Sequence, residues 1–174
     1  MKRTVLKFGL IAGAVASVMM LANVPNMAAG DLDKGEILGY TSIVLSMLFV
    51  FFGVRSYREH AGGGHLTFFR GLSVGLLIML VSCVCYVATW EIVSNVFMPG
   101  LGEKVFTCWI EKEKAKGASE AELAKMAGYK EMYVKNPLAN VAMTFMEPLP
   151  IGLAASVLSA AILRKKTPAS SPVT

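Results

Sequence analysis

Long uncharged runs alternate along this chain with short charged clusters, and this spacing limits the fold more than any other feature. A helix needs roughly 20 apolar residues to cross about 30 Å of hydrocarbon. Phe8 to Gly30 carries no charge, Ile37 to Val54 gives 18 uncharged residues between Glu36 and Arg55, and Gly71 to Trp90 gives 20 between Arg70 and Glu91. A fourth run, Pro148 to Leu163, has 16 residues and reaches spanning length only if its helix starts near Leu138 and carries Glu147 inside. The expectation is an all-α integral membrane protein, one domain over 1–174, built as a four-transmembrane-helix bundle with spans near 5–27, 37–54, 71–92 and 138–163. With 55% hydrophobic residues and a mean hydropathy of +0.56, the composition excludes a disordered chain and a soluble nucleic-acid binder.

Basic residues in short loops mark the cytoplasmic side. Lys2, Arg3 and Lys7 precede the first span, Arg55, Arg58 and Arg70 bracket the loop after the second, and Arg164, Lys165 and Lys166 close the fourth. The 24–36 segment instead sets Lys34 against Asp31, Asp33 and Glu36. Seven lysines in the 99–137 segment are offset by six glutamates, and all five arginines fall on the proposed inside. These counts place both termini in the cytoplasm. The opening residues also read as a secretory signal peptide, with Ala28, Ala29 and Gly30 as the small residues before a cut. Gly9, Gly13 and Ser17 recur every four residues, which favours a retained helix packed on a neighbour.

Lipid tails are as apolar as leucine, so membrane helices associate where small residues let backbones approach. Each span has such a row: Gly9 and Gly13; Ser42 and Ser46; Gly71 and Gly75; Gly152, Ser156 and Ala160. The 99–137 segment is different, being strongly polar. Its Phe106, Trp109 and Ile110 fall at helical spacing before a stop at Gly117, and Ser119 with Glu122 forms a capping box for a second helix ending at Asn136, before Pro137. Met126, Tyr129 and Tyr133 are expected on one face. The segment reads as an external amphipathic hairpin between the third and fourth spans, resting on the bundle or the headgroups with Trp109 and the tyrosines at the interface; a docking surface for a partner is the sharper alternative.

Two carboxylates stand out. Glu91 follows Trp90 at the outer end of the third span, where a helix-end charge beside an interfacial tryptophan is the plain reading. Glu147 lies deeper, where a carboxylate must be protonated, paired or turned to a wet cavity. Pro148 and Pro150 deprive the carbonyls of Thr144 and Met146 of their usual donors and kink the helix. An intramembrane polar site of Glu91, Glu147, Asn95, Asn140 and Thr144 is therefore one expectation. Its rival is that Pro148 starts the membrane helix and Glu147 sits at its first turn. Glu59, His60 and His65 flank Gly62, Gly63 and Gly64, too flexible a turn to fix a metal geometry. Cys83 and Cys85 point to different sides of one helix and Cys108 is left over, so three free thiols are expected. Neither a cofactor motif nor a catalytic constellation is present.

Lys7-Phe8-Gly9-Leu10, Leu38-Gly39-Tyr40, Phe52-Gly53-Val54-Arg55-Ser56-Tyr57-Arg58 and Phe69-Arg70-Gly71-Leu72-Ser73-Val74-Gly75 carry a resemblance, as do Tyr86, Thr89-Trp90-Glu91, and Glu147 with Pro150 and Gly152. Over nearly its whole length the chain resembles the small bacterial membrane proteins grouped as domain of unknown function 4199. That resemblance implies four inner-membrane helices with the first retained, and it implies no activity; Pro148 departs from its pattern. The functional expectation is a noncatalytic membrane protein acting in the envelope or through a membrane-protein partner or a second copy, within the lipid bilayer and with no nucleic acid. A small ion-coupled carrier using Glu147 and Glu91 is the alternative, and a lipid-acting enzyme has no nucleophile or metal motif behind it.

In a background lacking Cys83, Cys85 and Cys108, Ser119→Cys in intact cells is expected to react with a membrane-impermeant maleimide. Protection at 119 with labelling at the C-terminus would invert the topology.

Overall fold

In the computed structural model, residues 1–165 are described, and Lys166 of the C-terminal basic cluster lies outside them. The three longest apolar runs become the three longest helices: α1 (Lys2–Ala29), α2 (Leu32–His60) and α3 (Phe68–Ile92), the last continued by a π-helical turn over Val93–Phe97. The polar insertion folds as α4 (Leu101–Ala115) and α5 (Glu120–Lys135). The fourth span is made in two pieces, α6 (Pro137–Met146) and α7 (Leu149–Leu163). Four segments, Lys2–Ala29, Leu32–His60, Phe68–Phe97 and Pro137–Leu163, are long and apolar enough to cross a membrane, giving an all-α, multi-pass membrane fold.

Local chemistry sets the helix ends. Gly30, at φ 78°, takes the left-handed conformation that closes α1 and lets Asp31 cap α2 through the Lys34 amide at 3.3 Å. Gly117, at φ 86°, closes α4 where the sequence places a stop. Ser119 and Glu122 form the expected reciprocal cap on α5. The Asn136 side chain caps α6 through the amides of Leu138 and Ala139, with Pro137 in the first turn.

α3 lies at the centre, touching α1, α2 and α7, while α1 and α7 each pack on both α2 and α3. The register is set by small residues. A Cβ on Gly9 would lie 2.6 Å from the Val81 side chain and one on Gly13 2.6 Å from Cys85, and one turn further Ser17 bonds Thr89 at 2.7 Å. α1 and α3 therefore run parallel in a four-residue register. On the other flank Gly71 faces the Ala160 backbone at 3.3 Å, Gly75 faces Ser156 at 3.1 Å, and Gly152 faces Met79, so α3 and α7 run antiparallel in the same step. Ser46 of α2 donates to the Ala12 carbonyl of α1 at 2.9 Å and pairs with Ser82 of α3 at 3.1 Å, joining three spans at one buried point.

One end of the bundle gathers the α1 N-terminus, the turn after α2 and the end of α7. There Leu66 and Lys165 exchange two backbone hydrogen bonds of 2.9 Å. Val5, Val54, Tyr57, Leu66 and Leu163 are all buried beneath it. The hairpin α4–α5 caps the opposite end. Lys112 bridges Asp33 at 2.8 Å and Glu36 at 3.1 Å, and Lys130 bonds Glu103 at 3.1 Å, tying α4 to the start of α2 and α5 to α4. Along the expected apolar face of α5, Tyr133 is buried, Met126 half-buried and Tyr129 55% exposed. α5 touches α4 and α6, and Met126 and Tyr129 line a shallow pocket with Glu113 and Lys116 at the end of α4.

Gly75→Leu is expected to lower thermal stability in detergent by about 1–3 kcal/mol, because the added side chain meets Ser156 backbone as well as side chain. Leu80→Ala, at a 40% exposed position, should cost less. Equal tolerance of both would mean that the α3–α7 crossing is not close.

Candidate functional site

Pro148 cannot donate to Thr144, and between Met146 and Leu149 the helix hydrogen-bond ladder lapses. Glu147 (φ −59°, ψ −53°) and Pro148 (φ −78°, ψ −12°) keep right-handed conformations, so the chain kinks without turning back. Pro148 is fully buried, whereas Glu147 beside it, at the joint of the fourth span, is exposed in the isolated chain. From α3, the Tyr86 hydroxyl donates to Glu147 Oε2 at 2.7 Å.

This pair lines a cleft of about 310 Å³ near the capped end, between α2, α3, α4 and the α6–α7 joint. Tyr40, Ile43 and Trp109 supply apolar and aromatic surface, and Asp31, Glu36, Glu113 and Lys116 stand around the mouth. The mouth charges are matched in pairs: Lys34 with Asp31 at 2.9 Å, Lys112 with Glu36 at 3.1 Å, and Lys116 with Glu113 at 2.6 Å. The hydrogen bond to Asp33, and then that to Glu36, hold the Lys112 ammonium above the usual lysine range. Among the described residues Glu147 has no cationic partner and only the Tyr86 hydroxyl as a hydrogen-bond donor.

Depth follows from helix rise. Gly71 to Tyr86 climbs about 22 Å, and Leu163 back to Glu147 about 24 Å, in a hydrocarbon layer of roughly 30 Å. Glu147 thus lies in the part of the span nearer the capped end, off the midplane. Below it toward the basic end, Val50, Val54, Val74, Ile78, Met79 and Cys83 form a buried core.

The other polar residues picked out by sequence are placed elsewhere. Glu91 Oε2 and the Glu91 carbonyl both accept from Asn95 Nδ2 at 2.9 Å, one turn along α3, and Glu91 Oε1 is buried without a donor. Thr144 donates to Asn140 Oδ1 at 3.4 Å within α6. No hydrogen bond joins any of these four to Glu147 among the described residues. Trp90 is not at the lipid interface but buried, its indole N–H donating to the Tyr133 hydroxyl at 2.6 Å. Tyr133 in turn packs on Gly102 and on the Phe106 ring, 4.8 Å between centroids, which is how α5 is held to α4 and α3. His60 and His65 each bond a backbone carbonyl, Ser56 and Gly63 respectively. Cys83, Cys85 and Cys108 are free thiols.

Sequence reasoning missed Tyr86 as the partner of Glu147, Tyr40 and Trp109 as cleft walls, and Asn23. The Asn23 amide is buried and donates to the Gly35 carbonyl at 2.8 Å, clamping the α1–α2 turn beneath the cleft mouth. An asparagine inside an apolar run was a usable signal for Asn23; a tyrosine in a span has no such mark.

The sequence model of one family, described as Protein of unknown function (DUF4199), matches residues 7–165. Neither a curated protein nor a solved structure matches the chain.

Tyr133→Phe leaves the buried Trp90 N–H without an acceptor and is expected to cost about 1–3 kcal/mol. Thermal unfolding in detergent checks this, with Tyr129→Phe at an exposed position as the control. An unchanged melting temperature for Tyr133→Phe would show that the cap is not fastened through this bond.

Proposed function

Because the chain belongs to the DUF4199 family, whose description assigns no activity, any function has to be argued from the site, and we propose a noncatalytic inner-membrane protein that binds a ligand or partner in its cleft. The observation that carries this reading is the contrast along the bundle axis. At the capped end a cleft of about 310 Å³ reaches Glu147, while toward the basic end the same helices close over buried apolar side chains. A cavity open at one end suits binding, whereas transport needs access from both. The basic end faces the cytoplasm on the arginine distribution, so the cleft opens outward and both termini are inside. Envelope organisation through a membrane-protein partner or a second copy fits the same arrangement, with the lipid bilayer as surroundings and no nucleic acid involved.

The second reading is a small ion-coupled carrier using Glu147, with Glu91 as an auxiliary group. The kinked fourth span favours it, since interrupted helices build ion sites in transporters. It requires the core around Val50, Val74 and Ile78 to part, and it requires Glu147 nearer the midplane than the helix rise allows.

The test compares two positions of similar exposure in the isolated chain, Tyr40 at 61% and Val84 at 62%. In a background without native thiols, Tyr40→Cys is expected to react from outside with a charged, impermeant thiol reagent, because it lines a wet cleft. Val84→Cys should resist, because lipid surrounds it. Equal protection of both would remove the wet cleft. A proton, sodium or potassium flux in proteoliposomes that Glu147→Gln abolishes would replace binding with transport.

A further inference from the structure

Three features of the cleft specify what it would hold. First, among the described residues lining the cleft the one carboxylate without a cationic partner is Glu147; Asp31, Glu36 and Glu113 are matched by Lys34, Lys112 and Lys116. Second, Tyr86 donates to Oε2, which fixes the carboxylate and leaves Oε1 free to accept. Third, the walls beside it are aromatic and aliphatic: Tyr40, Tyr86, Trp109 and Ile43. A metal ion is a poor match, because no group of three or more His, Cys, Asp or Glu side chains converges among the described residues. A carboxylate flanked by aromatic faces suits a single positive charge carrying N–H donors and an apolar body.

On the reading of the cleft as an outward binding site, we infer that its ligand is a primary amine with a short apolar or aromatic tail, the ammonium on Glu147 Oε1 and the tail against Tyr40, Ile43 and Trp109. A cleft of about 310 Å³ leaves room for a body of this kind beyond the ammonium itself. Lys116 at the mouth does not oppose the charge, since Glu113 neutralises it at 2.6 Å. An ammonium of this kind occurs on free small amines and on the ethanolamine headgroup of lipids, and the two sources present the same chemistry to Glu147.

The experiment uses the full chain in nanodiscs of phosphatidylcholine and phosphatidylglycerol, which carry no primary amine. Calorimetric titration is run with phenethylamine, with phenethyl alcohol as the neutral analogue and 3-phenylpropionate as the anionic one. Saturable binding of the amine in preference to both analogues is expected. Glu147→Gln should weaken it about tenfold or more, as loss of a charge-assisted bond does. Tyr86→Phe should weaken it by a smaller factor, and Glu91→Gln, outside the cleft, should leave it unchanged. Should Glu147→Gln fail to fold, Tyr86→Phe and the amine-to-alcohol preference still decide. Competition when phosphatidylethanolamine is added assigns the site to the headgroup, and unchanged binding assigns it to a soluble amine; both outcomes uphold the ammonium. Binding of the alcohol or the acid as tightly as the amine, or amine binding indifferent to both variants, overturns the inference while the cleft stands. Absence of binding by every probe, together with an unreactive Tyr40→Cys, overturns the cleft itself.

Discussion

The structure depends on how closely α3 can approach a helix on each flank. Within a bilayer the burial of leucine against leucine gains nothing over leucine against lipid, so association has to come from close contact and from polar groups that find partners. Gly9 and Gly13 of α1 bring their backbone onto Val81 and Cys85, and Gly71 and Gly75 of α3 receive Ala160 and Ser156 of α7. Both crossings advance four residues at a time, one parallel and one antiparallel, so a single central helix fixes the registers of two others. Ser46 then fastens α2 into the same assembly through Ala12 and Ser82.

That register determines what happens at the capped end. Following the α3–α7 step outward from Gly71–Ala160 through Gly75–Ser156 and Met79–Gly152 brings the α6–α7 joint beside Tyr86. The prolines supply the other half of the geometry. By interrupting the ladder at Glu147 they let the carboxylate meet the Tyr86 hydroxyl at 2.7 Å while the chain continues across the layer. One turn further out on α3, Trp90 is used differently, as a buried donor that holds α5 through Tyr133. Beyond it Glu91 closes on its own helix through Asn95. Tyr86, Trp90 and Glu91 of one helix thus serve a cleft, a cap and a helix end.

Periodicity and end signals carried the four spans, the rows of small residues, the Gly117 stop and the Ser119–Glu122 cap, because each of these is local or repeats at the helix period. The site was legible in a more limited way. Glu147 announces itself as a carboxylate inside an apolar run, and Pro148 and Pro150 announce the kink. Its partner Tyr86 is 61 residues away in sequence, and Trp90 is 43 from Tyr133. Pairings at that separation are set by inter-helix register, which sequence spacing alone leaves open. Grouping Glu91, Asn95, Asn140 and Thr144 with Glu147 assumed that intramembrane polar residues seek one another. Here Glu91 Oε2 bonds Asn95, and Thr144 bonds Asn140, four residues along the same helical run, a shorter route than crossing the bundle, and Glu91 Oε1 is left without a donor.

The chemistry open to Glu147 depends on its surroundings more than on the carboxyl group itself. At the mouth, ion pairs such as Lys112 with Asp33 and Glu36 are exposed on their acidic side, and water and salt weaken them. Their contribution is to hold α4 across the α1–α2 turn and so to bound the cleft. Glu147 stands on the wall of that cleft, exposed in the isolated chain. A carboxylate fixed there by one hydroxyl, with no lysine beside it, is left with an electrostatic demand that the rest of the described chain does not meet. Asn23 and Trp90, which are used structurally, find their partners inside the chain. Glu147 is held in position with one oxygen open toward the cleft, which is the arrangement of a group that receives its partner from outside the chain.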